Sequence, residues 1–342
     1  MAEIIPLHKK EDNFNDCIKE LSELCKEDLY SINTLILDKL ESSVPLIHEI
    51  GKYLILSGGK RLRPLLTTSC YHILDNKTSD NLNHIGLAAA VEFIHAATLL
   101  HDDVVDLSKD RRGKLTANEV WGNKTSVLVG DFLFSRSFQL MTKYGTINSL
   151  KILSDTSVII SEGEVLEISN DKNLEMNEDT YFQVINGKTA SLFSAACQVG
   201  GLSGGAKDNQ HQALKSFGTN FGMAFQLTDD AIDYSSNLKT MGKNIGDDFK
   251  EGKITLPIIL AYGRSNKTEK NFLQKVFKQS NGNENNFILV RKLLIKYNCI
   301  EDTLTRANHF AEVAIDSLSI FPDNEYKKAL IKLIKTSINR LN

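Results

Sequence analysis

The chain has 342 residues, 42% of them hydrophobic and 24% charged, with a net charge of −3. That is ample material for a core and no electrostatic reason to expect a nucleic-acid partner. Five scattered cysteines (Cys17, Cys25, Cys70, Cys197, Cys299) show no metal-ligand spacing and no disulfide framework, so reduced thiols in a cytoplasmic protein are expected.

The first residues, MAEIIPLHKKEDNFND, lack the apolar stretch of a signal peptide and are too acidic for a transit peptide. No uncharged apolar run approaches the roughly 18 residues needed to span a bilayer, so a soluble protein without a transmembrane segment is expected. Five prolines, few alternating β-branched runs and many stretches of 3.6-residue period predict an all-α protein. Residues 13–56 read as two or three helices, with Pro45 suited to a helix start. Ser57-Gly58-Gly59 is a break, and Pro64 opens a helix that turns Leu65, Leu66, Cys70 and Tyr71 inward. A polar loop at 76–83 leads into a long apolar helix ending in VEFIHAATLLHDDVVD.

A hydrophilic loop, LSKDRRGKLTAN, follows, then helices near 124–144, 149–168, 178–186, 189–202, 208–236 and 253–263. Three more come after the Asn-rich loop at 280–286 and around the Phe321-Pro322 break. No linker of the Gly/Ser/Pro type interrupts the chain, so residues 1–342 read as one domain. The core spans 30–265, and the helices of 266–342 buttress it without chemistry of their own.

The chemistry concentrates at two acidic triads. Asp102 and Asp106 lie four apart on one helix face, with Asp103 about 100° around the axis. Like charges at that spacing destabilise a helix, which points to a cation between them, and carboxylate oxygens suit Mg²⁺. For one triad alone a solvated helix end is the competing explanation. AFQLTDDAID (224–233) repeats the frame, however: Ala224 matches Ala97, Leu227 matches Leu100, and Asp229, Asp230 and Asp233 match the first three aspartates. Two such triads, each closing an apolar helix, predict a multi-metal site above an apolar interior.

Four basic clusters accompany them. GGKRLRP places Lys60, Arg61 and Arg63 at a helix start, where backbone amides, helix dipole and side chains together favour an anion. Arg111-Arg112-Gly113 follows the first triad; Lys188-Thr189 follows an Asn-Gly turn; the fourth runs from Lys243 to Lys253. Singly each reads as surface; together they suit a substrate set with more than one diphosphate. His95, below the first triad, is placed to donate to a phosphate oxygen, and Gln226 faces the same site as Asp230, although each also fits as a satisfied core residue.

GGKRLRP, HDDVVD, the following RRG, GKTASLF (187–193), FQLTDDAID and GDDFKEGKITLP occur in the order and approximate spacing of the trans-polyprenyl diphosphate synthases, which residues 45–265 resemble. The long-chain members that make quinone side chains are the nearest in pattern. The resemblance implies an all-α single-domain bundle of helices around a deep central apolar cavity, usually homodimeric. It implies that Lys60, Arg63, His95 and Arg112 hold isopentenyl diphosphate. Asp102 and Asp106, with Asp229 and Asp233, would bind several Mg²⁺ ions bridging an allylic diphosphate. Arg111, Lys188, Thr189, Gln226 and Lys243 would contact that substrate, with Lys253 a further substrate-binding candidate, and Asp103, Asp230 and Lys188 complete the catalytic set.

Product length would follow from what blocks the space below the metals. Ala97, five residues before Asp102 and about 7–8 Å down the axis, and Thr98 are small. Phe138, Leu140 and Met141 are the candidate floor. Among rival readings, terpene cyclases and head-to-head condensing enzymes usually lack GGKRxRP and the second triad. A non-catalytic subunit of a heteromeric synthase is opposed by the intact aspartates. A His-Asp phosphohydrolase built on His101-Asp102 needs further histidine ligands, and His72, His84 and His211 have no fitting context.

Overall fold

The computed structural model describes residues 13–74, 82–235, 246–278 and 283–340. Among them seventeen α-helices and one short hairpin account for nearly all regular structure, the all-α architecture expected. The predicted loop at 76–83 falls mostly outside the described residues, as does Lys243.

Asparagine starts several helices. The side chain of Asn13 caps α1 (Phe14–Leu24), accepting from Asp16 N, and Asn324 does the same for α17 (Glu325–Ile338). α2 (Lys26–Lys39) and α3 (Pro45–Leu56) complete the N-terminal group, with Pro45 in the opening turn of α3. In α4 (Leu62–His72), Leu65, Leu66, Cys70 and Tyr71 are buried, the predicted face.

α5 (Asn83–Val105) is the central helix, its buried run extending from His84 to Leu100. It packs against α2, α4, α7 (Asn123–Tyr144) and α10 (Ser191–Ser203). α5, although interrupted by Glu92, is long and apolar enough to cross a membrane, with a mean hydropathy of 1.2 over its best window. Neighbouring helices bury 78% of that window, which is the environment of a core helix.

The hydrophilic segment after α5 is partly ordered as a hairpin, β1 (Asp110–Arg111) and β2 (Lys114–Leu115), paired antiparallel. Arg112 and Gly113 both take positive φ (57° and 75°), the backbone a two-residue hairpin turn of this hand requires. A short α6 (Ala117–Trp121) leads into α7.

After α8 (Ile147–Ser169) and α9 (Glu178–Ile185), a π-helical turn covers Asn186–Ala190 before α10. A Cβ on Gly163 of α8 would lie 3.0 Å from the Gly187 backbone, so glycine is what lets α8 and the π turn touch. α11 (Asp208–Asp233) packs on α10 and on α16 (Cys299–Ser317). α12 (Asp247–Glu251), α13 (Leu256–Arg264), α14 (Lys267–Lys278) and α15 (Glu284–Lys296) finish the second half. α14 has no counterpart in the expected helices. The five cysteines are all buried.

Candidate active site

The two acidic triads end α5 and α11, and a cavity of about 390 Å³ lies between them. Asp106 lines it from the first triad and Asp230 from the second, with Glu164 and Glu167 of α8, Asp248 of α12, Lys188, Thr189, Gln226 and Lys253. Its apolar wall includes Val105, Ile168, Met176, Val184, Ile185 and Ile254. A lining of both charged and aliphatic groups suits a ligand with a polar head and a greasy body.

In the first triad the middle residue is structural. Asp103 is buried, and its Oδ1 accepts from Arg111 Nε (2.9 Å) and Nη2 (2.7 Å), fastening the hairpin to α5. Arg111 is thus spoken for by Asp103. Asp106 pairs with Lys253 Nζ at 3.0 Å, and Lys253 also reaches Glu251 at 2.8 Å. Burial disfavours the Lys253 charge, but Asp106 and Glu251 outweigh it and hold the ammonium firmly protonated. The Asp102 carboxyl is pushed up to about 7 by burial and then by the Glu164 carboxylate, against the pull of Lys188.

Lys188 sits on the π turn, which projects it back towards α8. Its Nζ donates to Glu167 (2.6 Å) and Glu164 (3.0 Å). Burial lowers its proton affinity, but these carboxylates and Asp102 raise it further, so the ammonium is a fixed counter-charge. One residue on, Thr189 Oγ1 donates to Gln226 Oε1 (2.9 Å), and Gln226 Nε2 donates to Asp230 Oδ1 (2.8 Å).

The second triad is held differently. Asp230 is buried and also accepts from the Tyr181 hydroxyl. Burial pushes it up to about 7, against the hydrogen bonds from Tyr181 and Gln226, with Asp229 and Asp233 adding repulsion. Asp233 accepts from the backbone amides of Asp247 (3.1 Å) and Asp248 (3.2 Å), the start of α12. Burial still pushes it up to about 6. Asp229 pairs with Arg340 Nη1 at 2.7 Å. Arg340 also stacks on Phe14 and Phe225 and donates from Nε to Ser337 O. Of this triad, then, Asp230 rather than Asp229 or Asp233 faces the cavity, because the other two are engaged by an arginine and by helix amides.

The cationic group gathers beside α5. Gly58 and Gly59 take φ of 88° and 143°, and Arg61 takes 47°, so the GGKR stretch is a tight left-handed loop. The loop closes on Arg112, which donates to Gly58 O; a Cβ on Gly59 would meet Arg112 Nη1 at 2.7 Å. Arg61 is anchored by Glu92 and by Ile55 O, not aimed at a ligand. Arg63 lies over the Phe193 ring at 5.0 Å with its Nε unpartnered, and burial pulls its guanidinium down to about 10. His95 is held well below its usual value by burial and by Arg63, Arg112, Arg111 and Arg61, so it is neutral. Lys60 is exposed, its ammonium 4.4 Å over the Phe14 ring.

Sequence reasoning missed several members. Glu164 and Glu167 stand three apart in GEVLEI, a one-face helical signal left unread. Asp248 lay inside a segment read for its lysines. Arg340 carries no local signal, and with it the C-terminal segment reaches into the site as well as packing around it.

The chain-length candidates stand on α5 and α7. None of Ala97, Thr98, Phe138, Leu140 and Met141 lines this cavity. Ala97 is buried within α5 and Thr98 half-buried. On α7, Leu140 and Met141 point inward, whereas Phe138 is 38% exposed and rests on Phe134. Inward positions 133, 137, 140 and 141 follow the helical period, and 138 falls off that face. Phe138 therefore stands on the exposed side of α7.

Two acidic helix ends across a cavity, with lysines and arginines around it, define a helical enzyme that handles diphosphates. A polyprenyl synthetase family model matches residues 44–293, and the chain belongs to that family of trans-prenyltransferases. Octaprenyl diphosphate synthase of Escherichia coli (strain K12) is 39% identical over 94% of this chain and 99% of that protein. The crystal structure of a decaprenyl diphosphate synthase from Rhodobacter capsulatus superposes with a TM-score of 0.90 at 42% identity, covering 95% of this chain and 99% of that one. A polyprenyl synthase from Caulobacter crescentus CB15, complexed with calcium and isoprenyl diphosphate, gives 0.89 at 42% identity over 95% and 98%.

Proposed function

We propose that the protein condenses an allylic diphosphate with successive isopentenyl diphosphate units, in the presence of Mg²⁺, to a long all-trans polyprenyl diphosphate of about eight to ten isoprene units. The length rests on the octaprenyl and decaprenyl synthases it resembles, and a quinone side chain made in the cytoplasm is the fitting destination. The observation that carries the reading is the cavity that Asp106 and Asp230 share with Lys188.

The donor set fits a hard dication. Carboxylates crowd the cavity; burial, then Glu164, pushes Asp102 up to about 7, and burial, with repulsion from Asp229 and Asp233, does the same to Asp230, which a cation relieves. Asp102, Asp106 and Asp230 would hold Mg²⁺, with Asp229 joining by sharing its carboxylate with Arg340 and Asp233 supporting through α12. An ion held by these carboxylates would supply neutralisation of the charge that builds on the allylic diphosphate as its C–O bond breaks.

The chain's own groups do the rest. Lys188, Thr189 and Gln226 orient that diphosphate, and Lys253 balances Asp106. Arg63, Arg112 and Lys60 bind the diphosphate of isopentenyl diphosphate, and neutral His95 donates a hydrogen bond to it. The apolar wall keeps water from the allylic cation while the isopentenyl double bond attacks it; loss of a proton completes each five-carbon extension. The exposed Val127, Leu128 and Phe138 on α7 form an apolar face suited to a second copy of the chain, and sedimentation of the purified protein measures that dimer.

The test is to incubate purified protein with Mg²⁺, farnesyl diphosphate and labelled isopentenyl diphosphate, and to size the products of wild type and Ala97→Phe. Long products from wild type and shorter ones from the variant are expected. An inactive wild-type chain would instead favour a subunit role in a heteromeric synthase.

A further inference from the structure

We propose that Asp28, His72 and His84 form a binding site for one transition-metal dication, Zn²⁺ by preference, outside the active-site cavity. Sequence reasoning set both histidines aside for want of context, since neither stands near His101-Asp102. The fold supplies that context: Asp28 in the first turn of α2, His72 at the last residue of α4 and His84 at the start of α5 converge. One ligand atom from each lies within 4.8 Å of the others.

Two imidazoles and one carboxylate are the donors that select zinc or a similar borderline metal over Mg²⁺, leaving a fourth position for water. Metal–ligand bonds of about 2.0–2.2 Å in a tetrahedron place neighbouring donors about 3.4 Å apart. His84 Nε2 already stands 3.4 Å from Asp28 Oδ1. His72 Nε2, at 2.6 Å from Oδ2, needs to withdraw by a fraction of an ångström.

The rings are held for the task. Tyr71 stacks on His84 at 3.8 Å with the planes 5° apart, and Tyr326 of α17 stacks on His72 at 4.8 Å. His84 is 4% exposed in its side chain; its Nδ1 has no hydrogen-bond partner, and its Nε2 has only the long contact to Asp28. A buried imidazole left in that state is costly, and a metal bond satisfies it.

Charge agrees with geometry. Burial alone would raise the Asp28 carboxyl, but the contacts with His72 and His84 outweigh it and hold the carboxyl far below the usual range, so it is an ionised ligand at neutral pH. The adjacent Cys25 thiol is pushed up to about 12 by burial and stays neutral. The ion would staple α2 to α4 and α5, with α17 stacked against it, some distance from the acidic end of α5.

Cobalt(II) titration of the full-length protein in excess Mg²⁺ tests the site, because Mg²⁺ occupies the acidic cavity and four-coordinate cobalt absorbs visibly. One equivalent of Co²⁺ should produce an intense visible band that Zn²⁺ displaces. The band should persist in Asp102→Asn, and affinity should fall roughly 100-fold or more in His84→Gln and in His72→Asn. Circular dichroism confirms that each variant is folded, and either histidine variant suffices. Absence of the band in wild type, or its loss in Asp102→Asn with retention in the folded histidine variants, overturns the proposal and leaves a metal-free carboxylate strut between two imidazoles.

Discussion

The ends of α5 and α11 carry the same spacing of aspartates but different environments. The middle residue of the first, Asp103, is sealed beneath Arg111, whereas the middle residue of the second, Asp230, faces the cavity with Tyr181 and Gln226. The leading residues differ too: Asp102 adjoins the Glu164 and Lys188 charges, while Asp229 is clasped by Arg340. A repeated motif therefore fixes where carboxylates can stand on a helix. Its neighbours decide which one is offered to a ligand.

The largest effect should come from breaking the first triad at its two kinds of residue. Asp102→Asn should cut kcat on the order of 10²–10³-fold, whereas Asp103→Asn should act mainly by loosening the hairpin and cost far less. Steady-state kinetics at saturating Mg²⁺ compare them, and equal losses would erase the distinction drawn here.

Next come the two arginines. Arg340 is 7% exposed, stacked between Phe14 and Phe225, so Arg340→Ala should lower stability by about 3 kcal/mol as the buried ion pair and both ring contacts are lost. Arg111 is 31% exposed but its partner Asp103 only 1%, so Arg111→Ala strands a buried carboxylate and should cost about 4 kcal/mol, the larger loss of the two. Denaturant melts in metal-free buffer give the order.

A smaller effect concerns pH. Asp102 and Asp230 have folded values near 7 against 3.8 unfolded, so the folded state binds more protons between those values and stability falls as pH rises through that window. Neutral His95 acts oppositely, but only up to its ordinary 6.5. From pH 6.5 to 7.5 the metal-free melting temperature should therefore drop. Asp230→Asn should shrink the drop, and excess Mg²⁺ should abolish it.

The mildest change is Tyr181→Phe, which removes one hydrogen bond from Asp230 and should cost about 1 kcal/mol. It should also raise the Asp230 pKa further, visible as an acid-limb shift in the pH–rate profile.

Much of the site was legible because its parts are local. Helical period put Asp102 and Asp106 on one face, and the Gly58-Gly59 pair announced a left-handed loop that Arg112 then fills. Glu164 and Glu167 were legible in principle, three apart on α8, but nothing nearby named their partner, Lys188. Phe138 stands off the buried face of α7, because the face that turns inward depends on α5 and not on residue type.

By itself the sequence determined the all-α class, the helix starts at Asn and Pro, the two acidic helix ends and the cationic loops, since each depends on residues within a turn or two of one another. Only the tertiary structure decided that Arg340 reaches Asp229, that Arg111 seals Asp103, and that His72 and His84 meet at Asp28. Those contacts join residues from eight to more than a hundred positions apart, and chain folding, to which no local pattern is sensitive, brings them within bonding distance.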